Sequence, residues 1–297
     1  MNTKTSELDK KGCFADYLIQ DEVVFSKIAA KELEKILWAK KLLEEPKVTR
    51  AIQTEPDNNR KYSDLNEIKS ALFEIRFAYS VYKSGLIAEY ECNCGLGDTS
   101  IDFKIEDSNY TWLIELTSCR ESSEVKKNTT ISDNYFNYCS ISNPLKNSPE
   151  VVDIIKTQHA ILNKVCNKAK PIKFPVIQNS NNKGLHMILV DMRSFNAGMS
   201  DYCDYANIAC GSKFLINVDN GAYCRNWIDQ NGKVNLIKGL FDPDYPDIRS
   251  KRIHESIHIL GFVHESDYDE KELITKTRLF YNPRFFDKEQ KLPILYK

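Results

Sequence analysis

Apolar positions along this chain follow two periods, and the change from one to the other divides it. Over residues 20–45 the run FSKIAAKELEKILWAKKLLEE returns Ile28, Leu33, Ile36, Leu37 and Leu43 to one broad stripe, with most of the Lys and Glu elsewhere. That is the 3.6-residue spacing of an amphipathic helix. Pro46 is expected to close it, because proline cannot continue a helix interior. A polar stretch, TEPDNNRKYSD, leads to a second helical pattern over residues 63–84, with Ser63 or Asp64 as N-cap and Gly85 just past its end.

After Gly85 the period falls to two. LIAEYECN alternates as a strand, GLGDTS marks a turn, SIDFKIE is a second strand, and TWLIELTS is a third with a nearly continuous apolar run. A polar excursion over 120–147 follows. A helix then opens at Ser148, Pro149 and Glu150, where N-cap, first-turn proline and early acid coincide. GLHMILVDMRS reads as a buried strand. Near the C-terminus SIHILGFVHES and LITKTRLFY read as two strands joined through SDYDEKE. The expected fold class is α/β (α+β): a central mixed β-sheet flanked by helices, with a helical N-terminal extension (1–62) and a core domain (63–297) that ends in a β-hairpin.

Composition removes several function classes. The 297 residues are 42% hydrophobic and 28% charged, as in ordinary globular proteins, and the formal net charge of -1 provides no global basic field. Nucleic acid would therefore be met by a local patch. The N-terminal MNTKTSELDKKG has no apolar h-region, and no stretch has the length and apolarity of a membrane span, so no membrane partner is expected. Nine cysteines, odd in number and scattered, point to free thiols in a reducing, cytoplasmic setting rather than to a disulfide framework.

Three carboxylates occupy informative places. Glu74 lies in the helix before the first strand, Asp102 in the second strand (SIDFKI), and Glu115 near the end of the third (WLIELTS). Asp102 and Glu115 sit inside apolar runs, and a buried acid requires a partner or a metal. Adjacent strands bring these two to one edge, where paired carboxylates hold a hard cation such as Mg²⁺.

In this helix, hairpin, xDF and apolar strand ending in Glu, the chain resembles the PD-(D/E)xK nuclease-like superfamily over about residues 70–190. The resemblance implies a restriction-endonuclease-like sheet with Mg²⁺ (or Mn²⁺) held by Asp102 and Glu115 and assisted by Glu74. It also implies hydrolysis of a phosphodiester in nucleic acid, with DNA the first guess, and leaves a second copy of the chain as a candidate partner. The position of the superfamily's lysine is Thr117, whose hydroxyl brings a hydrogen bond and no charge. Lys104, Lys126 and Lys156 are candidates to supply that charge, and Gln158 is a candidate polar contact near the site. The substitution at Thr117 keeps a second class open, a nuclease-like binding module without catalysis.

A third reading comes from residues 254–265, HESIHILGFVHE, which has the His-Glu-x-x-His-x-x-Gly-x-x-His spacing of metzincin zinc proteases. It needs His254 and His258 on one helical face, Glu255 as base, and a turn at Gly261 that delivers His264. Ile253, Ile257 and Leu260 allow a helix. A strand fits equally, with Ile257, Ile259, Gly261 and Val263 on one face. A Met-turn downstream is absent, since all four methionines precede the motif. A strand is therefore the expectation for His258 to Glu265.

Overall fold

A computed structural model describes residues 14–54, 62–95, 99–119, 129–131, 137–139, 149–166, 173–174, 183–192, 202–211, 226–228, 234–263 and 277–286, with Pro293 and Leu295. Four helices come first: α1 (Phe14–Leu33), α2 (Lys40–Glu44), α3 (Pro46–Gln53) and α4 (Tyr62–Lys83). Strands β1 (Ala88–Cys92), β2 (Ile101–Glu106) and β3 (Tyr110–Ser118) follow, then a small hairpin of β4 (Thr129–Ile131) and β5 (Asn137–Cys139). The rest comprises α5 (Pro149–Val165), β6 (Lys183–Asp191), α6 (Tyr202–Ala209), the paired β7 (Asn226–Ile228) and β8 (Val234–Leu236), α7 (Ile248–Ser256), β9 (Ile259–Val263) and β10 (Arg278–Tyr281).

Six strands form one mixed sheet in the order β1-β2-β3-β6-β9-β10. The β1–β2–β3 meander is antiparallel, β3 to β6 and β6 to β9 are parallel, and β10 returns antiparallel to β9. The expected mixed sheet flanked by helices is what forms. Alternation along β3 sorts its side chains to two faces. Trp112, Ile114 and Leu116 join Leu185, Met187 and Leu189 under α1, α3 and α4, whereas Leu113 joins Ile188, Val190, Leu260 and Phe262 under α5, α6 and α7. At the β2–β3 turn the Asp107 carboxylate accepts from Asn109 N, Tyr110 N and Trp112 Nε1, each at 2.7 Å, which fixes the register of both strands.

The N-terminal helices share the first of these cores rather than building their own: Val23, Leu33, Leu42, Val48 and Ala51 pack with Phe77, Phe103 and Ile114. The single helix expected over 20–45 is broken. Ile36 is extended (φ -105, ψ 116), a short 3-10 turn spans Leu37–Ala39, and α2 follows. Pro46 opens α3 at its first turn instead of ending a helix, where its missing N–H costs nothing. The buried face of α1 is Val23, Ser26, Ala29, Ala30 and Leu33, while Ile28 and Leu37 face outward. Small residues on that face let α1 approach α4 closely, and Glu22 and Arg76 meet there as a buried ion pair at 3.7 Å.

Helix α4 ends as expected. Gly85 at φ +73 lets Leu86 N reach Val81 O (3.1 Å) and Gly85 N reach Tyr82 O (2.9 Å), the paired bonds of a Schellman cap. Of the strand expected from His258 to Glu265, Ile259–Val263 form β9, Gly261 lies within it, and His264 and Glu265 fall outside the described residues. Cys92, Cys94, Cys166 and Cys210 are free thiols. Among the described residues no helix is long and apolar enough to cross a membrane.

Candidate active site: two buried carboxylates and two lysines

Asp102 and Glu115 come together where β2 begins and β3 ends. Antiparallel pairing of Phe103 with Ile114 places the two acids side by side, facing α5, and burial leaves Asp102 only 4% and Glu115 0% exposed. The backbone holds both. Leu116 N donates to Asp102 Oδ2 at 2.7 Å, and Asp102 N donates to Glu115 Oε1 at 3.3 Å.

Charge compensation comes from two lysines that the sequence did not single out. Lys164, in the last turn of α5, lies 3.0 Å from Asp102 Oδ2 and 3.3 Å from Glu115 Oε2. Lys173 lies 2.8 Å from Glu115 Oε1. Burial and then the Asp102 charge push the Glu115 carboxyl up to about 7 against the opposing pull of both lysines. Burial by itself would lower the Lys164 ammonium, but Asp102 and Glu115 outweigh it and hold its pKa above the usual lysine value.

Glu74 approaches from α4. Lys47 Nζ donates to its Oε1 at 2.7 Å and Tyr90 OH to its Oε2 at 3.0 Å. Burial raises its pKa, the Lys47 ammonium opposes this, and the negative charge of Asp102 adds to the rise, so Glu74 is within electrostatic reach of the pair. Thr117 lies on the same face of β3 as Glu115, two residues on, and is partly exposed. The structure therefore brings Asp102 and Glu115 together, with Thr117 one pleat away, while Glu74 sits with α4 on the opposite face of the sheet and reaches Asp102 through charge alone.

Other candidates lie elsewhere. Gln158 Nε2 donates to the carbonyls of Asn207 (3.4 Å), Ile208 (3.2 Å) and Lys238 (2.8 Å), and its Oε1 accepts from Tyr245 OH at 2.9 Å. It fastens α5 to the end of α6 and is not a polar contact of the carboxylates. Lys104 pairs with Glu106 at 2.7 Å, Lys156 is exposed on α5, and Lys126 falls outside the described residues. The ammonium groups beside the two acids are those of Lys164 and Lys173, which no local pattern marks.

One further acid belongs to this neighbourhood. Glu91 lies between Tyr90 and Cys92, whose ladder partners are Phe103 and Ile101, so it occupies the position opposite Asp102. It takes φ +48, the left-handed region that non-glycine residues enter at a cost, and its carboxylate accepts from Ser100 Oγ. Lys41 Nζ holds its carbonyl at 2.9 Å.

The zinc-protease geometry is not formed. Helix α7 ends at Ser256, and its C-cap Ile257 is already extended (φ -94, ψ 124), so His258 lies beyond the helix that carries His254. His254 Nδ1 lies 2.9 Å from Phe241 O, and His258 Nδ1 accepts from His186 N at 3.2 Å. Burial lowers the His258 ring to about 4 and His186 to about 3, which keeps both neutral. His264 falls outside the described residues. Among the described residues no group of three or more His, Cys, Asp or Glu side chains converges as a metal site.

Two carboxylates are nonetheless a sufficient protein donor set for Mg²⁺, which keeps several waters and takes its remaining ligands from substrate phosphate. The oxygen-only chemistry of Asp102 and Glu115 fits such an ion. So does Glu115 Oε2, a buried oxygen without a hydrogen bond whose nearest cation is Lys164. No family model, curated protein or solved structure matches the chain.

Proposed function

We propose that the protein hydrolyses phosphodiesters in nucleic acid, with Mg²⁺ or Mn²⁺ as cofactor and DNA the first substrate to test. The observation that carries this reading is the pair of buried, adjacent carboxylates, Asp102 and Glu115, compensated by lysines rather than by hydrogen bonds alone. With the small β4–β5 hairpin as an insertion, the order helix–strand–strand–strand–helix–strand from α4 to β6 supports it as a PD-(D/E)xK-like arrangement.

Asp102 and Glu115 would hold the metal, which when bound supplies an activated water and neutralises charge on a phosphoryl oxygen. The chain's own residues do the rest. Leu116 N–H fixes one oxygen of the Asp102 carboxylate. Glu74, held by Lys47 and Tyr90, acts on Asp102 through its charge. Thr117 brings no charge to its position. Lys164 and Lys173 bring two to the same carboxylates and would offset charge as a phosphoryl oxygen becomes more negative.

Supercoiled plasmid incubated with Mg²⁺ or Mn²⁺ is the direct test. Nicking or linearisation that is lost in both Asp102→Asn and Glu115→Gln, with circular dichroism unchanged, is expected. Absence of cleavage of either DNA or RNA by well-folded protein under both metals would reject the enzyme.

One observation favours a second reading. Both carboxylates are already met by lysine and backbone donors without any ligand, an arrangement that also suits a non-catalytic nucleic-acid-binding module. That reading predicts binding without cleavage in the same assay.

A further inference from the structure

We propose that the two lysines divide their work: Lys164 is a displaceable counter-ion that keeps the place of the divalent cation, and Lys173 stays on Glu115 when the cation is bound. This rests on the nuclease reading above and goes beyond it in assigning separate duties to two residues.

The difference lies in how each lysine is held. Lys164 bridges the two carboxylates, 3.0 Å from Asp102 Oδ2 and 3.3 Å from Glu115 Oε2. Side-chain exposure does not separate the two lysines, at 30% for Lys164 and 23% for Lys173, so the number of carboxylates each one touches is what distinguishes them. Lys173 touches Glu115 alone, through the other oxygen, Oε1. Its backbone is fixed on both sides. Lys173 N donates to Val165 O at 3.1 Å, and the next residue, Phe174, is fully buried and stacked on His186.

A cation placed between Asp102 and Glu115 would therefore contend with Lys164, which bridges both, and not with Lys173, which touches Glu115 alone. Lys164 cannot remain at those distances beside a divalent ion, because like charges a few ångströms apart repel strongly in so buried a place. Lys173, on the far oxygen, does not compete for the same position. In the metal-free protein Lys164 spares the buried pair from facing each other uncompensated. In the loaded protein Lys173 is left in the orienting role that Thr117 cannot fill.

Two measurements on the full chain test this. Mn²⁺ binding is read from the electron paramagnetic resonance of free Mn²⁺, for wild type and Lys164→Met. Lysine acetylation by an N-hydroxysuccinimidyl ester, mapped by peptide mass spectrometry, is compared with and without Mn²⁺. Lys164→Met is expected to bind Mn²⁺ about tenfold more tightly, since the competing seated state is gone. Acetylation of wild-type Lys164 is expected to rise several-fold on Mn²⁺ addition while that of Lys173 stays constant. The labelling arm needs no variant to fold. Mn²⁺ bound with Lys164 labelling unchanged, or with Lys173 labelling rising equally, overturns the division of work and leaves the metal reading standing. No Mn²⁺ binding to either protein overturns both.

Discussion

Phe174 stacks on His186, with ring centroids 4.7 Å apart and planes 29° from parallel. That contact joins β6 to the dipeptide that places an ammonium on Glu115. His186 is itself held, with Nδ1 2.8 Å from Ser256 O and its ring edge-on to His258 at 5.3 Å. A path of packed rings thus runs from the end of α7 to the carboxylate pair.

Phe174→Ala should report on this path. Removing a fully buried aromatic ring is expected to cost about 3–5 kcal/mol in urea denaturation. It should also raise acetylation of Lys173 in the absence of metal. Retained protection of Lys173 in that variant would show that its tie to Val165 and Glu115 suffices.

Acid should unfold the protein through the same histidines. His186 titrates at about 3 and His258 at about 4 in the folded state, both lowered by burial from 6.5. Below pH 6.5 the unfolded chain takes up protons that the folded one refuses, so stability falls as pH drops. Glu115 acts in the opposite sense. Raised from 4.5 to about 7, it contributes stability that is present below 4.5 and lost as pH rises through 7, and Glu74 shifts the same way. From 6.5 to 4.5 the two histidines are opposed by Glu115 and Glu74, so the contributions largely offset one another; below 4.5 the histidines act alone, at about 1.4 kcal/mol per pH unit for each proton. The urea midpoint measured from pH 7 to about pH 3.5 should therefore change little down to 4.5 and fall below it. A midpoint that stays flat from 4.5 to about 3.5 would show that the rings are not held neutral.

Gln158→Leu separates structure from chemistry. The amide serves three carbonyls, and leucine keeps most of the volume while leaving those acceptors unmet, at an expected cost of about 1–3 kcal/mol. Cleavage kinetics of the folded variant should match wild type. A fall in turnover with stability intact would return Gln158 to the active site.

How much of this was legible beforehand follows from distance along the chain. The meander from β1 to β3 is local, and its alternation, its turn residues and the acids embedded in apolar runs all show in short windows. Gly85 and the late strand were legible for the same reason. Lys164 and Lys173 were not, because their meaning comes from a crossover that returns α5 over β2 and β3. Gln158 was misread for the mirror-image reason: its helix is close to the acids in sequence order, but its own face turns toward α6. The stripe on α1 failed at Ile28 and Leu37 because the helix breaks after Leu33 and because the tight contact with α4 selects Ser26, Ala29 and Ala30 over larger side chains. Periodicity finds a face, whereas close packing decides which face is used.

Gly261 offers a last consequence. A β-carbon there would fall 2.8 Å from Leu189 Cδ1, 3.0 Å from Thr277 Cγ2 and 3.2 Å from Leu279 Cδ2. In a zinc-protease string this glycine would be a hinge that swings the chain toward a third ligand. Here it is a spacer, and its missing side chain is the clearance that lets neighbouring side chains close over the middle of the sheet. Identical letters at identical intervals can thus record a limit on thickness rather than a change of direction.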